Sequence, residues 1–214
     1  MEMENVICDK TLNRSKLVHI DETRDSAQVV FEKSIHNLLV CLGDDPNREG
    51  LKDTPHRVFK AWNEIFEGMQ YTNEEIAKMN DKCFQDVECG DLVVEGHIPV
   101  FSMCEHHMLP MYEVYVSVGY IPNGKVIGLS KIARIAEMCS RRLQLQERIG
   151  TDIAEVLQYV LDTEDVIVVI EGQHACMTMR GIKKPGTVTR TATMRGRFDS
   201  DHALRQEFYN LIRK

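Results

Sequence analysis

From Ser26 the apolar positions Val30, Ile35, Leu38, Leu39 and Leu42 recur every three or four residues, which predicts a helix stopped by Gly43. Beyond the polar turn DDPNREG, the segment DTPHRVFKAWNEIFEGM predicts a second helix. Asp53 or Thr54 is its cap, Pro55 an early helical position, and Val58, Trp62 and Phe66 its apolar stripe. A shorter helix is expected from about Asn73 to Met79. Cys41 falls on the apolar face of the first helix and is expected to pack in a core. Residues 1–25 carry no sustained periodicity and read as a flexible N-terminal arm.

The period changes at about Asp86. LVVEGHIPVFSMC and YEVYVSVGYIP read as strands separated at LPM, and Asn123-Gly124 marks a turn after the second. KIARIAEMCSRRLQLQERIGTDIAEVLQYVL returns to helical spacing, as two helices broken near Arg142. DVIVVIEGQHACMTMRG and TVTRTATMRGRF read as two further strands, and the tail from Asp199 as a closing helix. This order predicts an α+β fold, an antiparallel sheet with helices gathered on one face. It divides the chain into the arm 1–25, a helical part 26–85 and a sheet-containing domain 86–214.

Composition narrows the classes. A chain of 214 residues with 43% hydrophobic and 28% charged residues is ordinary for a globular protein able to bury a substantial core. A net charge of −7 argues against general nucleic-acid binding. No apolar run approaches the roughly 18 residues that span a bilayer, and MEMENVICDKTLNR lacks the pattern of a secretory signal. The seven cysteines are odd in number and irregularly spaced, which points to a reducing cytoplasm and not to a disulfide framework. Cys8, Cys83, Cys89 and Cys139 receive no role.

Two short clusters then stand out. FSMCEHHMLP holds Cys104, His106 and His107, and EGQHACMTMRG holds His174 and Cys176, two apart on a predicted strand and so expected on one face. One such residue in a strand usually packs or hydrogen-bonds. Two clusters, each with both residue types, point to one zinc site with three protein ligands and a position left for water. The spacing alone leaves open which histidine ligates. Ser130 and Lys131 of GLSK, with Arg134 a turn later, suit an anion at a helix N-terminus, although a capped helix with solvated basic residues has the same pattern. With Arg57 and Arg180 they would make a polyphosphate site if all converged. Gln146-Glu147 offers an amide and a carboxylate of the kind that pairs with a guanine edge.

Taken together, GDDPNREGLKDTPHRV, CEHH, VGYIP, GLSKIARI, RRLQLQERI, HACMTMRG and TVTRTATMRGRF resemble the GTP cyclohydrolase I family, the zinc enzymes of the tunnelling fold. The resemblance covers roughly residues 26–213, in the family's order. It implies that Cys104, His107 and Cys176 are the zinc ligands and that His106 and His174 move protons. Gln146 and Glu147 would recognise guanine, while Arg57, Ser130, Lys131, Arg134 and Arg180 would face the triphosphate or ribose, Ser130 being counted with the catalytic residues. Ser117 and the stretch MLPMYE depart from commoner forms of the family without touching an implied ligand.

The chemistry so implied is hydrolysis of GTP. Water adds at C8 of the base, the ring opens and formate leaves. Ribose opening, an Amadori-type rearrangement and closure then give 7,8-dihydroneopterin triphosphate, the first step of a pterin or folate-type biosynthesis, with no organic cofactor. The resemblance also implies sheets joined into a barrel between subunits, two rings stacked as a homodecamer, and active sites shared at subunit boundaries. Two other readings compete. A structural zinc interaction module would need a fourth protein ligand and no basic pocket, and a tunnelling-fold enzyme with a cysteine nucleophile would not need paired CEHH and HxC clusters.

Overall fold

The computed structural model describes residues 24–85 and 90–213; the arm predicted over 1–25 lies almost wholly outside them. The chain forms two compact units that divide between Ala61 and Trp62. The first holds α1 (Arg24–Cys41) and the start of α2 (Thr54–Ile65). Phe31 and Phe59 meet edge to face with centroids 5.5 Å apart, and His56 Nδ1 lies 2.9 Å from Glu32 Oε1. The helix of α1 is as predicted, but Val30, Leu38 and Leu42 on its stripe are exposed, and Cys41 is exposed instead of packed in a core. Periodicity identifies a helix and its apolar side without specifying what covers that side.

In the second unit a 3-10 turn (Glu67–Gln70) leads to α3 (Asn73–Met79). Thr72 and Glu75 close a capping box there: Glu75 N–H donates to Thr72 Oγ1 at 3.2 Å, and Thr72 N–H to Glu75 Oε2 at 2.8 Å. The strands are β1 (Cys83–Gln85), β2 (Val93–Cys104), β3 (Leu109–Tyr120), β4 (Lys125–Ile127), β5 (Leu143–Gln144), β6 (Val166–His174) and β7 (Thr189–Met194). Between them lie α4 (Leu129–Ser140), α5 (Gln146–Leu161) and the single turn α6 (Ala175–Thr178), and α7 (Arg197–Ser200) and α8 (His202–Leu211) close the chain. No helix among the described residues is long and apolar enough to cross a membrane.

The main sheet runs β5-β2-β3-β6-β7, and β1 pairs separately with β4. Its four long strands are antiparallel as predicted, but the two-residue β5 adds a parallel fifth along β2. The predicted break at LPM is corrected: those residues begin β3, and the chain reverses at Glu105–Met108, where Met108 N–H reaches Cys104 O at 2.8 Å and Met108 is left-handed (φ 51°).

Helices do not gather on one face. Ile132 and Ile135 of α4 and Ile149, Ile153 and Leu157 of α5 pack on Val116, Val118, Val168 and Ile170. The alternate residue Ile167 points the other way, to Phe198 of α7 and to Leu204 and Phe208 of α8. Gly119 makes that approach possible, since a Cβ there would lie 2.6 Å from Phe208 Cδ2 and 2.9 Å from Ile167 Cγ2. The tail's apolar spacing is as legible as that of α5, but nothing local in it says which side of the sheet it will choose.

The break between α4 and α5 is built on Arg142, only 2% exposed. Its guanidinium donates to Gly68 O, Tyr71 O, Asn73 Oδ1 and, at 2.7 Å, Asp152 Oδ2, while Gln144 Nε2 donates to the same Asp152 oxygen at 2.8 Å. A buried cation with its donors paired in this way is tolerated where an unpaired one would not be. The network seats β5 against β2 and aims the start of α5.

Candidate functional site

The site lies at one end of the main sheet. Cys104 closes β2 opposite Leu109, Met111 on β3 pairs with His174, and Gln144 of β5 pairs with Cys104. Glu105 N–H donates to Gln144 O at 3.1 Å, so the turn with His106 and His107 folds back toward the start of α5. Cys176 sits in α6 and not on the predicted strand. The reversal at Ala175 replaces same-face geometry on a strand and swings the thiol toward the turn.

Cys104, His107 and Cys176 each offer a ligand atom, and these atoms all lie within 4.8 Å of one another. Tetrahedral zinc with sulfur ligands at 2.3 Å needs donors about 3.8 Å apart, so small side-chain movements complete the set. Burial, and after it the neighbouring Cys104 thiol, push the Cys176 thiol up from its ordinary value. A dication at this point reverses both effects by favouring thiolates. Two sulfurs and one imidazole are a borderline-soft donor set that suits zinc.

His106 stands outside the ligand group, with Nδ1 3.8 Å from Cys104 Sγ. His174 is half-buried and its Nε2 lies 2.9 Å from Gln146 Oε1. An amide oxygen only accepts, so Nε2 donates to it, and in the neutral imidazole the lone pair lies on Nδ1. Burial lowers the His174 pKa, with the Glu147 carboxylate opposing the shift. Gln146 is 1% exposed, and its Nε2 donates to Ile170 O and Thr189 O, both at 3.1 Å. Its carboxamide is committed within the fold, the nitrogen to two backbone carbonyls and the oxygen to His174, so the side chain expected to meet guanine is occupied here. Glu147, the next residue, is exposed.

Arg180 also reaches this end, with Nη1 2.8 Å from His107 Nε2. Ser130, Lys131 and Arg134 do not. They begin α4, which follows β4 at the opposite end of the sheet, where Tyr120 pairs with Val93 and Val166. Lys131 Nζ there donates to Met79 O at 3.4 Å. The C-terminus of α4, not its start, approaches Cys104, which puts GLSK about a helix length, roughly 18 Å, from the cluster. Arg57 is in the first unit, exposed, with Nη2 3.4 Å from Asp53 Oδ2.

Sequence reasoning missed Glu105 and Arg148. Arg148 donates to both Glu105 oxygens, at 2.6 and 3.3 Å, and this contact holds the Glu105 carboxyl below its usual range. Both residues lie inside motifs singled out for their neighbours, CEHH and QER, and that position was the available signal.

Fold and site together define an α+β protein with a sulfur-and-nitrogen metal-ligand set at the end of its sheet, beside a histidine whose Nε2 is held by a buried amide. The model of the family GTP cyclohydrolase I matches residues 31–213, and the chain belongs to that family. It is 55% identical over 189 residues to GTP cyclohydrolase 1 of Clostridium botulinum strain Langeland, covering 86% of this chain and 96% of that protein. It is also 55% identical over 178 residues to GTP cyclohydrolase 1 of Clostridium acetobutylicum, covering 81% and 91%, and 54% identical over 182 residues to that of Clostridium beijerinckii, covering 83% and 92%.

Proposed function

We propose that this chain hydrolyses GTP, opens and rearranges its rings to 7,8-dihydroneopterin triphosphate and releases formate, as a zinc enzyme of the cytoplasm that begins a pterin or folate-type pathway. The observation that carries the reading is the three-ligand cluster of Cys104, His107 and Cys176 beside a His174 held at Nε2 by Gln146 and an exposed Glu147. A structural zinc site fills four positions with protein, and this cluster offers three.

Cys104, His107 and Cys176 hold the metal. Zinc, when bound, supplies a Lewis acid that lowers the pKa of a coordinated water toward neutrality. Glu147 accepts from the N1–H and 2-amino group of guanine, which sets C8 toward the ligand cluster. His106, beside Cys104 on the exposed turn, donates a proton to the imidazole nitrogen as C8 becomes tetrahedral. His174 takes a proton at Nδ1 during the sugar rearrangement, because Gln146 occupies Nε2. Arg180 neutralises phosphate charge next to the cluster.

Ser130, Lys131 and Arg134 belong to the same pocket only if they come from another copy, since within one chain they stand at the far end of the sheet. Both ends expose apolar side chains: Met79, Phe84 and Leu129 near GLSK, and Met179 and Ile182 after Cys176. Subunits joined end to end in this way close a barrel, and two such rings stacked make the homodecamer, with Arg57 also serving across a boundary.

Purified protein loaded with zinc and given GTP is expected to release formate with turnover and to yield a pterin fluorophore after oxidation. Zinc-loaded protein that leaves GTP intact would overturn the reading.

A further inference from the structure

We propose that Tyr112 is a positioning residue for the metal centre, its hydroxyl fixing the turn that carries Cys176 to the strand ends on either side of it. The inference rests on the metal reading given above.

The turn α6 is only four residues long, and a single helical turn does not sustain itself against the cost of ordering its backbone. Its own bond is Met179 N–H to Ala175 O at 3.0 Å. Tyr112 Oη lies 3.3 Å from Thr178 Oγ1, at the end of this turn, and 3.3 Å from Gln173 Oε1, just before His174. A phenol donates once and accepts, so it can donate to the Gln173 amide oxygen and accept from the Thr178 hydroxyl. Gln173 Nε2 in turn donates to Glu113 Oε2.

The backbone is shaped for this relay. The pairing of β3 with β6 shifts register between Tyr112 and Tyr115, and Glu113 within that bulge is left-handed, at φ 50°. Such a conformation costs energy in a residue with a Cβ, and bulges re-aim the side chains beside them. Tyr112 also stands on the strand that leaves the Cys104–His107 turn directly. Its hydroxyl therefore joins the segment bearing two ligands to the segment bearing the third. Metal-ligand distances tolerate only about 0.2 Å, so a tie between these segments sets how well the site is formed before metal arrives. Partners bonded directly to ligand side chains are worth about 10- to 100-fold in metal affinity, and a tie to the residues flanking a ligand is expected at the lower end of that range.

The test compares wild type with Tyr112→Phe, Thr178→Val, their combination, Thr178→Ser and Cys176→Ala. Zinc affinity is read by competition with a chromophoric chelator, ligand geometry by the visible spectrum of the cobalt-substituted protein, and unfolding of the chelator-treated proteins serves as the structural control. Tyr112→Phe and Thr178→Val should each weaken zinc about 10-fold and alter the cobalt spectrum, with the double variant little worse than either. Thr178→Ser should bind as wild type does, and unfolding of the metal-free proteins should change far less than affinity. Wild-type zinc affinity and cobalt spectrum in both Tyr112→Phe and Thr178→Val would overturn the proposal while leaving the ligand assignment intact, provided Cys176→Ala still loses the metal. A wild-type protein that binds no stoichiometric zinc would overturn both.

Discussion

Arg148 grips Glu105 with two nitrogens, at 2.6 and 3.3 Å, and so joins the residue after Cys104 to the residue after Glu147. The pair ties the turn that carries His106 and His107 to the first turn of α5. Its worth is geometric more than thermodynamic, because both side chains are about one-third exposed and an ion pair in that setting adds little stability. Arg148→Ala and Glu105→Gln should each lower kcat/KM for GTP on the order of 10-fold or more, with the double variant close to either single one. Arg148→Lys should recover only part, since an ammonium cannot reproduce the two-pronged contact. Steady-state kinetics at saturating zinc checks this.

Removing a ligand and removing a proton donor should separate cleanly. Cys176→Ala should lose nearly all bound zinc together with activity, whereas His106→Ala should keep stoichiometric zinc and lose turnover by about 100-fold or more. Metal analysis of both variants decides the matter, and stoichiometric zinc in Cys176→Ala would remove it from the ligand set.

Glu147→Ala should weaken GTP binding by about 10- to 100-fold, the scale of a charge-assisted hydrogen-bond pair to one guanine edge. ATP lacks the N1–H and 2-amino donors and should not be processed by the wild-type protein. Comparable turnover of the two nucleotides would remove Glu147 from base recognition.

Cys176→Ala and Lys131→Ala damage opposite ends of the sheet. Each variant alone should be inactive or nearly so, while co-expressed mixed oligomers should regain a fraction of wild-type activity, because some shared sites receive two intact halves. Sedimentation of an active monomer, or no recovery in confirmed mixtures, would contradict sharing.

Acid stability should carry the signature of a helix cap. Asp201 accepts from Leu204 N–H and Ala203 N–H, at 3.1 and 2.9 Å, and these bonds hold its carboxyl below the usual value. A depressed folded-state pKa means that the contribution is full above the unfolded value, about 3.9, and is lost as pH falls through the folded one. Asn caps a helix without titrating in this range. The stability advantage of wild type over Asp201→Asn should therefore be constant from neutral pH to about 5 and shrink below about 4, measured by denaturant unfolding with chelator present. A constant difference down to pH 2 would contradict the cap's titration.

What the sequence disclosed was chemistry more than placement. Alternating apolar positions marked β3, apolar runs bounded by polar residues marked β2 and β6, and three-to-four-residue spacing marked α1, α2, α4 and α5, because each has enough residues to show its pattern. Four residues cannot, and so the turn at Ala175–Thr178 read as an extension of the strand and gave Cys176 the wrong setting. Adjacent His106 and His107 are indistinguishable by spacing; the turn at Glu105–Met108 brings His107 into the ligand group and leaves His106 outside it. GLSK has the pattern of an anion site at a helix start, but a local motif does not encode that within one chain it stands at the far end of the sheet from the cluster. The pairing of Glu105 with Arg148 was hidden because each sits among residues that had a stronger claim to a role.

The missing side chain at Gly119 carries a constraint that reaches across the molecule. That glycine makes no turn; it leaves a hollow that one ring edge of Phe208 fills. A strand in the middle of the sheet and the closing helix thus divide a single fixed volume between them. A methyl group gained at 119 must be matched by atoms surrendered at 208, or the helix lifts from the sheet. Drift at these two positions is therefore permitted in pairs and penalised singly, so a small-to-large exchange at one site should arrive in viable descendants only with a large-to-small exchange at the other.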